Sequence, residues 1–247
     1  MESITEFCPA KLNLFLAVTG RRDDGFHELL SVAAPVSFGD TLVARLSGDE
    51  SYTLKCDDSE TPADGSNLVL QAAERFAQKT GRRMGVRFQL SKKNPMGAGL
   101  GGGSSDAVGA LRALNQLAGL PLSAEGLAEV AATLGSDCPL FLAEQPVVMR
   151  GRGEQISPLD STSADRLVGK DLLVIKPPFG VNTAWAYGQM AAAVDSRYYL
   201  GAEAAESRLQ DWIDDPNATN EALGFNSFEA CVGAKFKALP VLAARLE

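Results

Sequence analysis

Between an apolar strand pattern and a one-sided helix pattern the chain reads Asn94-Pro95-Met96-Gly97-Ala98-Gly99-Leu100-Gly101-Gly102-Gly103-Ser104-Ser105-Asp106-Ala107. The five glycines leave backbone N–H groups uncovered, so an anion can approach the main chain closely. A helix beginning beyond them adds unpaired N–H groups and the positive end of its dipole. The stretch therefore has the make-up of a phosphate cradle. Ser104 and Ser105 either cap the helix or donate a hydroxyl to a phosphate oxygen, and the two roles can coexist.

Other glycine motifs fit less well. Gly97-x-Gly99-x-x-Gly102 satisfies the dinucleotide fingerprint, but residues 92–96 separate it from the strand over Met84–Leu90. No acid near Leu120 and Pro121 is placed to hold a ribose. A P-loop would need Gly-Lys-Ser/Thr after the glycines, and none follows. A flexible linker is disfavoured by Val108, Leu111, Leu114 and Leu117, which repeat at helical spacing directly after the loop.

Two charged residues sit where charge needs a reason. Asp137 lies in Gly135-Ser136-Asp137-Cys138-Pro139, a turn between apolar segments, where a carboxylate either bonds its own backbone or needs a cation. Lys11 is a lone cation before the apolar-rich run that begins at Leu12, so it is either an exposed strand residue or a charge aimed at a site. His27 is the single histidine, which excludes histidine-rich metal sites and any Ser-His-Asp arrangement built without it.

With 247 residues the chain can bury one large core or two modest ones. The net charge of −8 argues against nucleic acid as a partner. No apolar run approaches a transmembrane length, so no membrane association is expected, and no signal peptide is apparent. Cys8, Cys56, Cys138 and Cys231 are widely spaced without a C-x-x-C pair, which reads as reduced thiols and a cytoplasmic location.

The elements that must position these residues follow from periodicity and turn signals. Short strands are expected at Leu12–Val18, Leu30–Phe38, Thr41–Leu46 and Tyr52–Lys55, with turns at Asp23-Asp24-Gly25, Gly39-Asp40 and Gly48. Ser66 is the expected cap of a helix ending near Gly81, and a helix over Ser105–Ala118 follows the glycine loop. Another helix starts at Pro121-Leu122-Ser123, and Val147–Arg150 with Gln155–Pro158 reads as a hairpin around Gly151-Arg152-Gly153. Polar residues at 160–170 suggest a domain junction. A buried strand is expected at Leu172–Lys176, and helices at Thr183–Met190, Ala204–Ile213 and Phe228–Leu246. This order supports an α+β class.

The glycine loop resembles the phosphate loop of the galactokinase, homoserine, mevalonate and phosphomevalonate kinase (GHMP kinase) superfamily. Three further segments, Cys8-Pro9-Ala10-Lys11-Leu12-Asn13-Leu14-Phe15-Leu16, Asp24-Gly25-Phe26-His27-Glu28-Leu29 and Gly135–Pro139, are similar to the 4-diphosphocytidyl-2-C-methylerythritol kinase family of the non-mevalonate isoprenoid pathway. The resemblance implies a ribosomal protein S5 domain 2-like N-terminal domain over 1–163. It also implies a smaller, incomplete C-terminal α/β domain over 164–247. The implied activity is ATP-dependent phosphorylation of the substrate 2-hydroxyl, with Mg²⁺ arriving on the nucleotide and no dedicated protein metal site.

Residue by residue, the resemblance pairs Lys11 and Asp137 as catalytic, the lysine keeping the aspartate ionised and the aspartate accepting the hydroxyl proton. It places Pro95, Met96, Gly97, Ala98, Gly99, Leu100, Gly101, Gly102, Gly103, Ser104 and Ser105 on the phosphates and Asn67 and Lys92 near the adenine. On their own, Asn67 reads equally as a helix start and Lys92-Lys93 as a solvated pair. The cytidine diphosphate-linked substrate falls to Asn13, Phe26, His27, Thr183 and Tyr187, with the histidine bonding the cytosine and the aromatics sandwiching it. Gly151-Arg152-Gly153-Glu154 reads as structural.

The sequence departs from the pattern in three places. Phe26 stands where the family usually has tyrosine, and Ser227 where it tends to have aspartate. No second glycine-rich loop of the Ser/Thr-Gly-Ser/Thr-Gly type follows Asn226-Ser227-Phe228-Glu229. Another small-alcohol kinase of the superfamily and a nucleotide-binding homologue without catalysis therefore stand as alternatives.

Overall fold

The computed structural model describes residues 2–191 and 200–245. They form two compact units, one from Met1–Leu12 with Pro35–Glu144 and one from Asn13–Ala34 with Gln145–Glu247. Strands β1 (Ser3–Arg21) and β2 (His27–Leu46) each contribute residues to both.

In the first unit β2 pairs antiparallel with β4 (Val86–Ser91), from Thr41 opposite Ser91 to Leu46 opposite Val86, and β3 (Tyr52–Cys56) lies parallel to β4. Leu42, Ala44, Val86, Phe88 and Leu90 are buried along this sheet. Helix α1 (Leu68–Thr80) buries Val69, Ala72, Ala73 and Phe76, and Gly81 closes it in the left-handed conformation that glycine adopts without strain. Its cap is Asn67 and not Ser66: the Asn67 side chain accepts from the Val69 N–H, while the Ser66 hydroxyl bonds Asp64.

Helix α2 (Gly102–Leu117) starts earlier than the expected Ser105, because the glycine run itself turns into helix after Gly101. Ser105 and Asp106 consequently lie buried in its opening turns and do not cap it. Helix α3 (Ala124–Ala132) follows and is capped by Ser123. Gly109 lets α2 lie close on the sheet, since a Cβ there would sit 2.5 Å from Cys8 Sγ and 3.8 Å from Leu42 Cδ2.

Gly39-Asp40 does not turn. Strand β2 runs straight through, and the space a Cβ at Gly39 would need is filled by the Cys8 carbonyl and Pro9 Cα. Glycine here permits close strand approach, not reversal.

In the second unit β5 (Val147–Arg150) pairs antiparallel with β2, with Val32 opposite Val148, and with β6 (Gln155–Pro158) as the expected hairpin. After α4 (Ser161–Asp165), α5 (Thr183–Ala191), α6 (Ala202–Asp214) and α7 (Asn220–Leu223) comes β7 (Phe225–Asn226), parallel to β1. Phe15, Val32, Val148, Leu209, Trp212 and Leu223 share the core of this unit. Ser227 is buried, its Oγ accepting from the Val18 N–H and its own N–H donating to Leu16 O.

Two expectations fail here. Residues 172–176 form no strand, and Leu172, Leu173, Val174 and Ile175 are exposed: an apolar run suits a buried strand only where a neighbouring strand completes its hydrogen bonds, and none does so among the described residues. The long helix over Phe228–Leu246 is instead α8 (Glu229–Lys235) and α9 (Ala238–Ala243), with Leu246 outside the described residues. Pro240 has no N–H to give the Phe236 carbonyl and its ring crowds that group, so the helix breaks there.

Gly109→Ala should destabilise the protein by about 1–3 kcal/mol in urea unfolding through overpacking against Cys8. Adding Cys8→Ala should recover part of that loss, whereas purely additive losses would show that Cys8 is not what the new methyl group meets.

Candidate active site

The glycine loop is held open from beneath. Gly97, Gly99 and Gly101 have φ of 65°, 74° and 72°, a region that side-chain-bearing residues rarely occupy. Nothing lies within 4 Å of a Cβ placed at Gly97 or Gly99, so the backbone at both is bare on that side. At Gly101 a Cβ would meet Phe141 Cζ at 2.7 Å and Lys11 Cγ at 3.1 Å. Met96 and Gly103 are exposed, Leu100 is buried, and Pro95, Ala98, Gly102 and Ser104 are intermediate. Ser105 is 1% exposed, and its hydroxyl has no hydrogen-bond partner among the described residues.

Lys11 reaches this loop from strand β1. Its N–H donates to Leu100 O at 2.9 Å, its stem passes Gly101, and its buried ammonium lies 3.5 Å from Asp137 Oδ2. Asp137 is part-exposed in a turn closed by the Cys138 N–H to Gly135 O bond, and a 3-10 turn, Pro139–Leu142, follows. Arg112 of α2 donates to the Phe141 carbonyl that follows this turn. Burial pushes the Cys138 thiol up to about 11, so it serves packing and not nucleophilic chemistry. The lysine, the aspartate and the loop thus converge within one unit.

Lys92 is not the solvated residue its Lys-Lys setting suggests. Its ammonium is buried between Asp40 Oδ2 at 2.5 Å and Asp106 Oδ2 at 2.8 Å. Asp40 has no exposed surface and also accepts from the Lys93 N–H, the Asn94 N–H and Asn94 Nδ2. Burial raises the cost of charge on Asp40, but these donors outweigh it and hold the carboxyl below its usual range. Asp106 has fewer donors, so burial wins and pushes it up to about 7. Burial also works against charge on Lys92, yet the two carboxylates prevail and raise its pKa. Asn67 is equally engaged, its Oδ1 capping α1 and its Nδ2 donating to Pro62 O at 2.6 Å.

The remaining expected residues belong to the other unit. His27 stacks on Tyr187 of α5, with ring centroids 5.2 Å apart and planes 29° apart. Tyr187 also meets Phe228 edge-on. The His27 Nε2 is buried without a hydrogen-bond partner among the described residues, and burial, followed by the nearby Arg21 charge, lowers the imidazole below its ordinary value. Phe26 is 55% exposed on a turn fixed by the Phe26 N–H to Asp24 Oδ1 bond, and the Arg152 guanidinium lies 4.7 Å over its ring. Asn13 Oδ1 accepts from Ser31 Oγ at 3.4 Å, and Thr183 is exposed at the first residue of α5.

Asp40 and Asp106 escaped the sequence reading as site residues. The available signal was Asp106 itself, which falls on the same helical stripe as Ala110, Ala113 and Leu117, where an acid needs a buried partner. Asp40 carried none, because Gly-Asp reads as a turn.

Residues 67–145, the span from the α1 cap to the end of the first unit, match the family model for the GHMP kinases N terminal domain. A 4-diphosphocytidyl-2-C-methyl-D-erythritol kinase of Synechococcus sp. (strain CC9902) is 42% identical over 214 residues, covering 86% of this chain and 69% of the relative. This chain belongs to the 4-diphosphocytidyl-2-C-methyl-D-erythritol kinase family. A second family member, from Methylacidiphilum infernorum (isolate V4), is 44% identical over 184 residues, covering 74% of this chain and 63% of its own length. A crystal structure of 4-(cytidine 5'-diphospho)-2C-methyl-D-erythritol kinase superposes with a TM-score of 0.73 at 32% identity, covering 98% of this chain and 82% of the other. Methanococcus jannaschii mevalonate kinase gives a TM-score of 0.67 at 11% identity and supports the GHMP kinase fold alone. Among the described residues no helix is long and apolar enough to cross a membrane.

Because His27 is held below the ordinary imidazole value, the folded protein carries fewer protons than the unfolded chain as pH falls through that range. Stability therefore declines with acidification through this site. An NMR titration of the single histidine should give a midpoint under 6.5. A midpoint at or above that value would contradict the burial of the imidazole.

Proposed function

We propose that the protein transfers the γ-phosphoryl group of ATP to the 2-hydroxyl of 4-diphosphocytidyl-2-C-methyl-D-erythritol. The observation that carries this reading is the Lys11–Asp137 ion pair at 3.5 Å, anchored through Lys11 to the glycine loop by the bond to Leu100 O. Phosphoryl transfer depends chiefly on positioning and charge stabilisation, and this arrangement supplies an acceptor-side base beside a phosphate cradle.

The loop fits a nucleotide phosphate chain on three counts. Its backbone at Gly97 and Gly99 is open to approach, α2 begins at its end, and the buried Ser105 hydroxyl lacks a protein partner among the described residues. Mg²⁺ belongs to the triphosphate in this reading, where it neutralises phosphate charge. Asp137 accepts the proton of the acceptor hydroxyl as its oxygen bonds the γ-phosphorus and the bond to the ADP oxygen breaks. Lys11, 3.5 Å from Asp137 Oδ2, orients the acceptor hydroxyl against it.

The cytidine end is assigned to His27, Tyr187, Phe26, Asn13 and Thr183. The Nε2 of His27, buried without a hydrogen-bond partner among the described residues, suits it to bond a base edge, and Phe26, backed by Arg152 on one face, offers its ring for stacking. Four free cysteines fit a reducing compartment, and we assign the protein to the cytoplasm on that ground.

Incubated with Mg-ATP and the cytidine diphosphate-linked alcohol, the protein should give ADP and a product heavier by one phosphate. Asp137→Asn should lower turnover by roughly 10²–10⁴ while leaving Mg-ADP binding within a few-fold. Lys11→Ala should behave similarly. Turnover of Asp137→Asn at the unaltered rate would refute the assignment of the base. Binding of both ligands without product would favour a nucleotide-binding protein, and turnover of a different alcohol another kinase of the superfamily.

A further inference from the structure

The ionic cluster below the glycine loop joins three parts of the chain that flank it. Asp40 lies in β2, Lys92 just beyond β4 where the loop departs, and Asp106 in α2 where the loop has ended. Lys92 Nζ bridges the two carboxylates, its backbone N–H donates to Asp57 Oδ1 at 2.9 Å, and Lys93 and Asn94 hang from Asp40 by their own N–H groups. A Cβ at Gly102 would lie 2.8 Å from Asn94 Cβ and 3.3 Å from Lys92 Nζ, so the far end of the loop rests directly on this cluster. Between these ties the chain is Pro95–Gly101, where glycine carries a large conformational entropy.

We propose that Asp40, Lys92 and Asp106 form a buried ionic clamp that fastens both ends of the glycine loop to strand β2, making Lys92 and Asp106 positioning residues for its phosphate-binding N–H groups. The proposal rests on the reading of the loop as a nucleotide-phosphate site. It replaces a direct role for Lys92, whose buried ammonium already points its N–H groups at Asp40 and Asp106.

The two roles predict opposite signs for one substitution. If Lys92 were a ligand, removing the Asp106 carboxylate would free its charge. Removing a negative charge near a phosphate site also favours anion binding on electrostatic grounds alone. The clamp predicts weaker binding despite both effects, because the loop loses a tether. The conservative Asp106→Asn keeps an acceptor for Lys92 and should fall between wild type and Asp106→Ala.

The test is calorimetric titration of the full chain with Mg-ADP, together with amide hydrogen exchange without nucleotide, comparing peptides over 93–104 with peptides over 52–56 and 68–80. Asp106→Ala should weaken Mg-ADP binding about tenfold and speed exchange over 93–104 selectively. Binding at wild-type strength or tighter would overturn the clamp. So would weaker binding with unchanged loop exchange, or exchange accelerated equally in all three regions. If Asp106→Ala does not fold, Asp106→Asn is judged by the same two readouts. If the wild-type chain does not bind Mg-ADP, the nucleotide reading fails on its own, and selective exchange over 93–104 still decides for or against the clamp.

Discussion

A carboxylate with no exposed surface is costly unless donors surround it, and Asp40 is surrounded by four: one ammonium, two backbone N–H groups and one amide. Meeting that requirement fixes much of the first unit. Strand β2 must continue through Gly39 to deliver Asp40, and β4 must end where Lys92, Lys93 and Asn94 can reach it. Helix α2 must begin early enough to bring in Asp106. The glycine loop is what remains between these fixed points. Its freedom is limited by its borders, although glycine itself restrains the backbone least.

The chemistry follows the same division of labour. Rigid elements carry the groups that must not move: Lys11 comes from a strand, with its stem buried against Gly101 and its N–H tied to Leu100. Two of the groups we assign to ligand contact lie on turns, Asp137 in one and Phe26 in another. Each turn is closed by its own hydrogen bond, from the Cys138 N–H to Gly135 O and from the Phe26 N–H to Asp24 Oδ1. Exposed functional groups on a stiff scaffold are the usual arrangement where access and precision are both needed.

What the sequence made legible was local. The glycine loop, the helix after it, the Gly81 stop and the hairpin at Gly151 each depend on backbone conformations that few residues tolerate, and such signals survive without tertiary information. The failures involve partners distant in sequence. Gly39-Asp40 resembles a turn until the neighbouring strand and Lys92, 52 residues away, are in place. Lys92 looks solvated for the same reason. Leu172–Ile175 has strand composition, but a strand exists only when another supplies its hydrogen bonds. One failure was local: the unbroken helix expected over Phe228–Leu246 ignored Pro240, whose missing N–H and ring act against the Phe236 carbonyl four residues back.

The cysteines have a practical consequence. Cys8 and Cys138 are buried, and burial raises both thiols out of reach of ordinary alkylating reagents. Cys56 and Cys231 retain some exposure, and one falls in each compact unit. The unaltered sequence therefore carries one partly exposed thiol in each compact unit, although burial raises the Cys231 thiol as well and it donates to the Phe228 carbonyl. A donor–acceptor pair placed there turns the native chain into a molecular ruler, able to report any change in spacing as nucleotide and alcohol are added, without a single engineered residue.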